Sequence, residues 1–514
     1  MLLTQSALSL AADIKAKKIS SRAVVEAHIA QIKCVNPRLN AVVFDRFADA
    51  LREADAADAL IASTSDTESL PPLLGVPCTI KDTFEFTGMP QVVGMVSRRD
   101  VYGQKDSYAV AALRTAGAIP LGVTNTPELA MWYETYNRVY GRSKNAYDRG
   151  RITGGSSGGE GAIVGAGGTP FGLGSDVAGS IRMPAFFNGV FGHKASPLLI
   201  NNDGHFPSAH GQTLNYLSSG PLCRRAEDLE VLVRILAGEN SFKLKSVTDV
   251  DISKLRVITI SPERGPKATF DILDAQQKAV DALVKQGATH ITVDLPLIDD
   301  AFMIWSSLLA DSSSPEHSFT AMMFGDYHIK HPLKALATMA FKGKKSPHTL
   351  PLLVLTLLEQ FPNLATGQRQ RFVDLGHQLK QQLNTLLGDD GVLVMPTFPE
   401  VAPRHGMPIF KPFDFVDCAI VNAMELPSTA VPMGLNAGGI PTGIQVVSNQ
   451  NNDHLSIACA VALEQATGGW IPPWRSWLAE LPETTVIAQP VQEPTKAVKK
   501  TVTRKKQNLT NSIA

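Results

Sequence analysis

Residues 153–184 combine glycine and serine in a pattern that could support chemistry. Glycine gives the backbone access to positive φ and lets other groups approach it closely. The stretch contains two pairs of serines, Ser156 with Ser157 and Ser175 with Ser180. The segment from Asp176 to Ser180 could form a turn that directs several backbone N–H groups at one point. Such a turn would meet the requirement for holding a developing oxyanion.

Two other interpretations of this stretch are weaker. Segments rich in glycine and serine are usually flexible linkers, but a linker would not carry the apolar residues found here, Ala162, Ile163, Val164, Phe171, Leu173, Val177, Ile181 and Met183. Residues 154–158 also satisfy the G-x-S-x-G pattern of the α/β-hydrolase nucleophile elbow, which needs a hydrophobic strand immediately before it. Residues 145–151 precede the pattern here and are typical of a loop, so the elbow is disfavoured.

The same stretch resembles the core of the amidase signature family. That family has a GGSSGG motif, matched by residues 154–159, followed by a D-x-G-G-S-x-R element, matched by residues 176–182. Upstream, residues 75–82 resemble the strand that carries the catalytic lysine of the family. The resemblance extends over residues 5 to 480 or so, and it implies the family's fold and its amide-hydrolysing activity.

The resemblance assigns roles residue by residue. It implies that Ser180 is the nucleophile, Ser156 a bridging serine on a cis peptide, and Lys81 the base. It also implies an oxyanion hole made by the backbone N–H groups of Val177, Ala178, Gly179 and Ser180. Ala178 replaces a glycine of the family but keeps its N–H, so the hole requires only that its φ be negative. Ala195 replaces a proline of the family, with at most a structural effect.

The chemistry of amide hydrolysis is consistent with these roles. The reaction needs an activated nucleophile, a stabilised oxyanion and a proton for the departing amine. The motif places no histidine to activate a serine, but a neutral lysine can do so. The pKa of a free lysine is ~10.4, and burial lowers that pKa by disfavouring the charged form. An isolated lysine at this position would more often be an exposed strand end, whereas the surrounding motif favours a buried base.

In this scheme Lys81 takes a proton from Ser156, and Ser156 takes one from Ser180. The same path in reverse protonates the leaving amine, and water then clears the acyl-enzyme on Ser180. No metal or organic cofactor is needed. The neighbouring polar residues are expected to hold the loop geometry through local hydrogen bonds rather than to react: Ser157, Ser175, Asp176 and Arg182.

Other segments bear on the substrate. Glu160 and residues 131–134 and 181–189 resemble the branch of the family with fungal acetamidases and fatty-acid amide hydrolases, above all the fatty-acid amide hydrolase 2 group. The resemblance implies an amide with a hydrophobic or fatty acyl group. Met131 and the aromatic residues after it are expected to contact the substrate, with core packing as an equal alternative. Residues 300–375 form an apolar insert, either a buried helix or a cap that lines an acyl channel or touches a membrane.

Composition restricts the class of protein. Lys+Arg and Asp+Glu are both 48, so no net charge calls for a nucleic-acid partner. The five cysteines are dispersed, which predicts neither a disulfide framework nor a zinc site. No run reaches the ~18 apolar residues of a membrane-spanning helix, and the first residues lack a signal-peptide pattern. These features predict a cytoplasmic protein. The resemblance implies a small-molecule amide as its substrate, and peripheral membrane contact and a homodimer are left open.

Apolar strands alternate with helices along the rest of the chain. We expect strands at 39–44, 76–81, 118–123, 255–260, 291–293, 391–397 and 439–446, and helices at 5–17, 21–32, 46–63, 107–117, 275–286 and 458–466. This pattern predicts an α/β fold with a mixed central sheet covered by helices on both faces. Residues 1–483 are expected to form one catalytic domain, and residues 484–514 a disordered basic tail. His28 and His193 are expected to be structural.

Three alternative functions fit the same residues. A general amidase would prefer small or aryl amides over long acyl chains. The A subunit of a glutamine-dependent tRNA amidotransferase shares the motif, but it works with partner subunits and usually has a serine where Glu160 stands. A binding protein that kept the fold without activity is disfavoured, because Lys81, Ser156 and Ser180 are all present.

Overall fold

The computed structural model describes residues 2–312, 337–338, 346–360 and 366–474. The strands in these ranges are β1 Val42–Asp45, β2 Pro77–Lys81, β3 Ile119–Thr124, β4 Tyr136–Asn137, β5 Gly141–Arg142, β6 Phe171–Asp176, β7 Phe191–Lys194, β8 Ser218–Cys223, β9 Arg256–Ile260, β10 Thr289–Val293, β11 Gly391–Met395, β12 Ser428–Leu435 and β13 Pro441–Ser448. Eleven of them form one sheet in the order β1-β3-β2-β6-β8-β7-β12-β13-β11-β9-β10, and β4 pairs with β5.

The central sheet is mixed. β2 runs parallel to β3 and β6, and β9 runs parallel to β10 and β11. The remaining pairs, such as β6 with β8 and β12 with β13, are antiparallel. Because β2 and β6 are parallel neighbours, their carboxyl ends, Lys81 and Asp176, lie at the same edge of the sheet. Every residue of both strands is buried.

Helices pack on both faces of this sheet. Within the described ranges the α-helices are Ala7–Lys15, Ser21–Leu39, Phe47–Ser63, Tyr108–Thr115, Gly158–Gly165, Arg182–Phe187, Asp228–Ala237, Phe270–Lys285, Ala301–Ser312, Leu350–Gln360, Thr366–Leu387, Val416–Ala423 and Asp453–Thr467. Consecutive strand residues point to opposite faces, and Val257 and Ile258 of β9 enter two different apolar clusters. The predicted α/β fold with a mixed sheet is therefore confirmed.

Local signals in the sequence explain where several helices begin. The side chains of Ser20 and Ser107 accept hydrogen bonds from the first-turn N–H groups of Ala23 and Val110, so both serines are N-caps. His28 is buried in the first of these helices, and its Nδ1 lies 2.9 Å from the carbonyl oxygen of Val24. A structural role for His28 agrees with these contacts.

One predicted strand begins later than expected. The sequence predicted a strand from Leu39 to Phe44, but Leu39 ends the helix and β1 begins at Val42. The side-chain oxygen of Asn36 accepts hydrogen bonds from the N–H groups of Ala41 and Val42, at 2.8 and 2.9 Å. This side chain closes the turn between helix and strand, a role that apolar periodicity does not reveal.

The apolar insert is described in part. Its segments 301–312 and 350–360 are helices. Leu352 and Leu353 are buried, whereas Val354 is 40% exposed. The end of the insert belongs to the helix Thr366–Leu387. Residues 313–336, 339–345 and 361–365 of the insert, and the tail predicted at 484–514, lie outside the described residues. The described residues up to Trp474 belong to one compact unit, and no helix among those described is both long and apolar enough to cross a bilayer.

Candidate active site

Lys81 ends strand β2, and its side chain is fully buried. Its Nζ lies 2.8 Å from the hydroxyl oxygen of Ser156 and 3.0 Å from that of Ser175. The carbonyl oxygen of Ser175 is 3.3 Å away. The parallel pairing of β2 with β6 brings Ser175 to this edge of the sheet. The structure therefore places the predicted lysine and the predicted bridging serine in direct contact.

The environment of Lys81 lowers the pKa of its amine to about 7. Burial is the largest cause, because a charged ammonium loses its hydration there. The negative charge of Asp176, and that of Glu160 when its carboxyl group is ionised, act in the opposite direction and raise the same pKa. Near neutral pH a substantial fraction of this amine is consequently neutral and carries a lone pair.

The two serines of the motif are held close together by the backbone. The peptide bond between Gly155 and Ser156 is cis. The N–H of Ser157 donates to the carbonyl oxygen of Ser180 at 3.1 Å, and the hydroxyl of Thr126 donates to the carbonyl oxygen of Ser156 at 3.0 Å. Ser180 is partly exposed, whereas Ser156 is buried. Among the described residues, no hydrogen bond joins the hydroxyls of Ser156 and Ser180.

A buried carboxylate holds the turn that carries Ser180. Asp176 accepts hydrogen bonds from the backbone N–H groups of Gly179 at 2.7 Å and Ile181 at 3.0 Å. The guanidinium of Arg182 donates to both carboxylate oxygens, at 3.1 and 3.0 Å. Burial alone would raise the pKa of the Asp176 carboxyl, but Arg182 outweighs burial and keeps that pKa well below its usual range. Asp176 and Arg182 thus hold the loop geometry, as predicted.

Arg182 also ties this turn to distant parts of the fold. Its guanidinium donates to the side-chain oxygen of Gln445 at 2.8 Å and to the carbonyl oxygen of Cys418 at 3.0 Å. It also contacts the side-chain oxygen of Asn422. Ser157 makes weaker local bonds, with its hydroxyl 3.3 Å from the carbonyl oxygen of Ser175.

One of the four N–H groups predicted to form the oxyanion hole already has an acceptor within the protein. The N–H of Gly179 donates to Asp176 instead of pointing into open space. The N–H groups of Val177, Ala178 and Ser180 have no acceptor within the part of the chain that the structure describes. Ala178 has a negative φ, which is the condition set by its replacement of glycine. Gly179 has a φ of +104°, and a Cβ there would lie 2.5 Å from the Cβ of Cys418, so only glycine fits.

The segment beginning at Met131 packs against the same site. Met131 is partly buried and packs against the apolar cluster of Met95, Leu129, Leu352 and Leu353, the last two from the insert. Tyr133 is buried, and its hydroxyl donates to the carbonyl oxygen of Lys411 at 2.6 Å. The core-packing interpretation therefore describes Tyr133, whereas substrate contact remains a prediction for Met131.

Glu160 is a polar neighbour of Lys81 whose contacts the sequence did not reveal. Its carboxyl group is fully buried and accepts hydrogen bonds from the hydroxyls of Thr79 at 2.6 Å and Thr124 at 2.8 Å. Burial raises the pKa of Glu160 to about 8. The sequence showed Glu160 only as a mark of one branch of a family. The two threonines belong to neighbouring strands, β2 and β3, whose pairing could not be read from spacing.

His205 is a second neighbour that the sequence analysis missed. Its Nε2 lies 2.9 Å from the hydroxyl oxygen of Ser175, which in turn contacts Lys81. His205 lies outside both motifs, and its segment carries no pattern typical of a site. By contrast, His193 is buried between Thr429 and Asp453 and agrees with its predicted structural role.

The fold and these contacts define the class of protein. A sequence profile of the amidase family matches residues 23–456. The chain belongs to the amidase signature family and is an amide hydrolase.

Several individual proteins are similar to this chain over most of its length. The chain is 42% identical to fatty-acid amide hydrolase 2-A of Danio rerio over 487 residues, which cover 92% of this chain and 91% of the relative. It is 41% identical to fatty-acid amide hydrolase 2 of Homo sapiens, over 92% and 91% of the two chains. A solved structure of a fatty acid amide hydrolase superposes with a TM-score of 0.73 at 21% identity, covering 91% of this chain and 86% of that one. This last likeness concerns the fold alone.

Proposed function

We propose that this amidase hydrolyses amides with a hydrophobic or fatty acyl group, with Ser180 as nucleophile, Ser156 as proton bridge and Lys81 as base. One observation carries the proposal. A fully buried lysine amine lies 2.8 Å from the hydroxyl of Ser156, and the backbone beside that serine is bonded to Ser180. A buried lysine with a lowered pKa next to a hydroxyl group is an arrangement that activates a nucleophile.

In the first step the neutral amine of Lys81 takes the proton of the Ser156 hydroxyl. Ser156 takes the proton of Ser180 as the Ser180 oxygen attacks the carbonyl carbon of the amide. The hydroxyls of Ser156 and Ser180 come into contact when substrate binds, since catalytic hydrogen bonds are often long in the free enzyme. The carbonyl oxygen becomes an oxyanion, for which the N–H groups of Val177, Ala178 and Ser180 have no competing acceptor.

Collapse of this intermediate breaks the C–N bond. The proton then returns along the same path from Lys81 through Ser156 to the departing nitrogen, which leaves as an amine. Water attacks the acyl group on Ser180 with the same base, releasing the carboxylic acid and restoring the serine. Each proton taken in acylation is thus delivered to the leaving group.

The acyl preference has separate support. The two relatives with fatty-acid amide hydrolase 2 names match nearly the whole chain at 42% and 41% identity. In addition, Met95, Leu129, Leu352 and Leu353 form a buried apolar cluster with the partly buried Met131 and Phe206 packed against it. Phe206, which packs against this cluster, directly follows His205 in the chain, and His205 contacts Ser175. An apolar acyl chain could therefore lie along the cluster.

The test is a hydrolysis panel on the full chain. It compares an acetamide-type amide, an aryl amide, a long-chain primary amide and an N-acylethanolamine, for wild type and for Ser180→Ala. A fluorophosphonate probe reports labelling of the nucleophile. Ser456→Ala is the control for loss of a serine hydroxyl outside the site, because Ser456 lies in the helix Asp453–Thr467 and bonds to Thr429 and to the backbone.

We expect wild type and Ser456→Ala to hydrolyse the long-chain amides fastest and to be labelled, and Ser180→Ala to do neither. Faster cleavage of the small or aryl amides would overturn the fatty-acyl assignment alone. Full activity of Ser180→Ala would overturn the assignment of the nucleophile.

A further inference from the structure

His205 makes two hydrogen bonds that together determine its tautomer. Its Nδ1 lies 2.9 Å from the carbonyl oxygen of Pro207, and its Nε2 lies 2.9 Å from the hydroxyl oxygen of Ser175. A carbonyl oxygen only accepts hydrogen bonds, so Nδ1 must carry the proton. Nε2 of the neutral ring is then an acceptor. Burial lowers the pKa of His205 to about 3, so the ring is neutral near neutral pH.

This tautomer determines how Ser175 bonds. Because Nε2 of His205 can only accept, the hydroxyl hydrogen of Ser175 points at His205. The lone pairs of the same hydroxyl remain for Nζ of Lys81, 3.0 Å away. The carbonyl oxygen of Ser175, 3.3 Å from Nζ, is a second acceptor. Ser175 therefore presents two acceptors and no donor to Lys81.

A neutral lysine amine has two N–H groups and one lone pair. When both N–H groups of Lys81 point at the two acceptors of Ser175, the lone pair is left for the remaining contact, the Ser156 hydroxyl at 2.8 Å. Ser156 is then the donor in that contact, which is the direction a base requires. Without an acceptor at His205, the Ser175 hydroxyl could rotate and donate to Lys81, and it would compete with Ser156 for the lone pair.

We propose that His205 is a positioning residue for the reaction: it accepts the hydrogen bond of the Ser175 hydroxyl and so directs the lone pair of Lys81 at Ser156. The inference rests on the proposed function, because it takes Lys81 as the base. His205 is not itself that base, since no hydrogen bond joins its ring to Ser156 or Ser180 in the described part of the chain.

The position of His205 is well supported by its surroundings. Its ring packs edge-on against Phe84, with the ring centres 5.2 Å apart. The backbone is also anchored, since the N–H of His205 donates to the carbonyl oxygen of Asn202 at 3.1 Å and the N–H of Phe206 donates to that of Thr83 at 2.8 Å. The ring is therefore held where its Nε2 meets Ser175, and a phenylalanine ring could occupy the same space without an acceptor.

The test is a double-mutant cycle between His205 and Ser175. The variants are His205→Phe, which keeps a ring but removes the acceptor, Ser175→Ala, and the two together. His205→Gln is the conservative variant, because its side-chain oxygen can accept near the place of Nε2. For each, the fluorophosphonate labelling rate and kcat/KM for a long-chain amide are measured across pH, with the thermal midpoint as a check on folding.

We expect His205→Phe to lower the plateau of kcat/KM by about ten- to a hundredfold, part of the roughly 10²–10⁴-fold that a general base contributes. His205→Gln should recover most of that loss. In the Ser175→Ala background, His205→Phe should change the rate by less than about twofold, because residues that act through one contact are not additive. Ser175→Ala alone tests the same contact if His205→Phe does not fold.

Three results would overturn the role of His205. The first is an additive loss in the Ser175→Ala background, and the second is a loss that follows the thermal midpoint and that His205→Gln does not recover. The third is a shifted acid limb with an unchanged plateau, which would mean that His205 acts through charge on Lys81, as Asp176 and Glu160 do. Wild type that neither labels nor hydrolyses amides would overturn the proposed function itself, a distinguishable outcome.

Discussion

Two lysines of this protein have nearly the same burial and different surroundings. Lys81 ends strand β2 and Lys194 ends strand β7, and both side chains are fully buried. Burial is the largest cause that lowers the pKa of each amine to about 7. If a perturbed pKa were enough to identify a base, the two lysines would be equal candidates.

Their hydrogen-bond partners separate them. Nζ of Lys194 lies 2.8 Å from the carbonyl oxygen of Leu426 and 3.2 Å from that of Ala195. Carbonyl oxygens accept but have no proton to give. Lys81 instead contacts the hydroxyl of Ser156, which has a proton that a base can remove. The comparison teaches that burial supplies a neutral amine, whereas the neighbouring hydroxyl makes it useful.

The largest expected effect comes from replacing each lysine by methionine. Lys81→Met should lower kcat/KM by roughly 10²–10⁴-fold, because the base is lost. Lys194→Met should keep kcat/KM within about tenfold of wild type, or about 1.4 kcal/mol in the barrier. The measurement is amide hydrolysis normalised to the folded fraction from near-UV circular dichroism. Equal losses in the two variants would remove the distinction between the lysines.

The next effect involves Asp176, whose charge raises the pKa of both lysines. Asp176→Asn leaves the guanidinium of Arg182 buried without its counter-charge, and should lower the free energy of unfolding by about 3–5 kcal/mol. Urea unfolding measures this loss. The control is Asp390→Asn, because Asp390 pairs with Arg256 near the surface, where such pairs contribute about 0–1 kcal/mol. Similar losses in both variants would contradict the prediction.

The pH dependence of kcat/KM is the third expected effect in order of size. Only the neutral amine of Lys81 can take a proton, and burial lowers its pKa to about 7. As pH falls below that value the amine becomes charged, so kcat/KM should fall by about tenfold per pH unit on the acid side and level off above it. Lys194→Met should show the same acid limb. Loss of the limb in that variant would mean that Lys194 is the titrating base.

The smallest expected effect compares two serines. The hydroxyl of Ser157 donates to the carbonyl oxygen of Ser175, next to Lys81, through a weak bond of 3.3 Å. The hydroxyl of Ser196, two residues after Lys194, donates to the carboxylate of Asp453 at 2.5 Å. Ser157→Ala should lower the free energy of unfolding by about 0.5–1.5 kcal/mol and kcat/KM by severalfold. Ser196→Ala should affect only unfolding. Thermal unfolding and kcat/KM are measured for both variants. A larger loss of kcat/KM in Ser196→Ala than in Ser157→Ala would contradict the prediction.

Much of the site could be predicted from the sequence because its determinants are local. The GGSSGG stretch and the run before Lys81 carry the resemblance to the amidase signature family, which implied that Lys81 meets Ser156, and the contact of 2.8 Å between them agrees. The N-caps Ser20 and Ser107 are equally local, because each bonds an N–H only three residues further along the chain. Ala178 required a negative φ, and it has one.

Other features depend on which distant groups packing brings together. His205 contacts Ser175 across 30 positions from a loop without any motif. Lys194 meets the carbonyl of Leu426 across 232 positions. The N–H of Gly179 donates to Asp176, although its sequence context suited an oxyanion hole. A hydrogen bond depends on position to a few tenths of an ångström, which residue spacing along a chain does not specify.

The sequence by itself determined the residue types of the site and the mixed α/β architecture, because backbone propensity, apolar periodicity and glycine requirements act over a few neighbouring residues, and its motifs carried the resemblance to the family. Only the tertiary structure decided which buried lysine has a hydroxyl to act on, and which way the protons around it point. The physical reason is that burial is a property of many residues together, while the direction of a hydrogen bond depends on each group's particular partner.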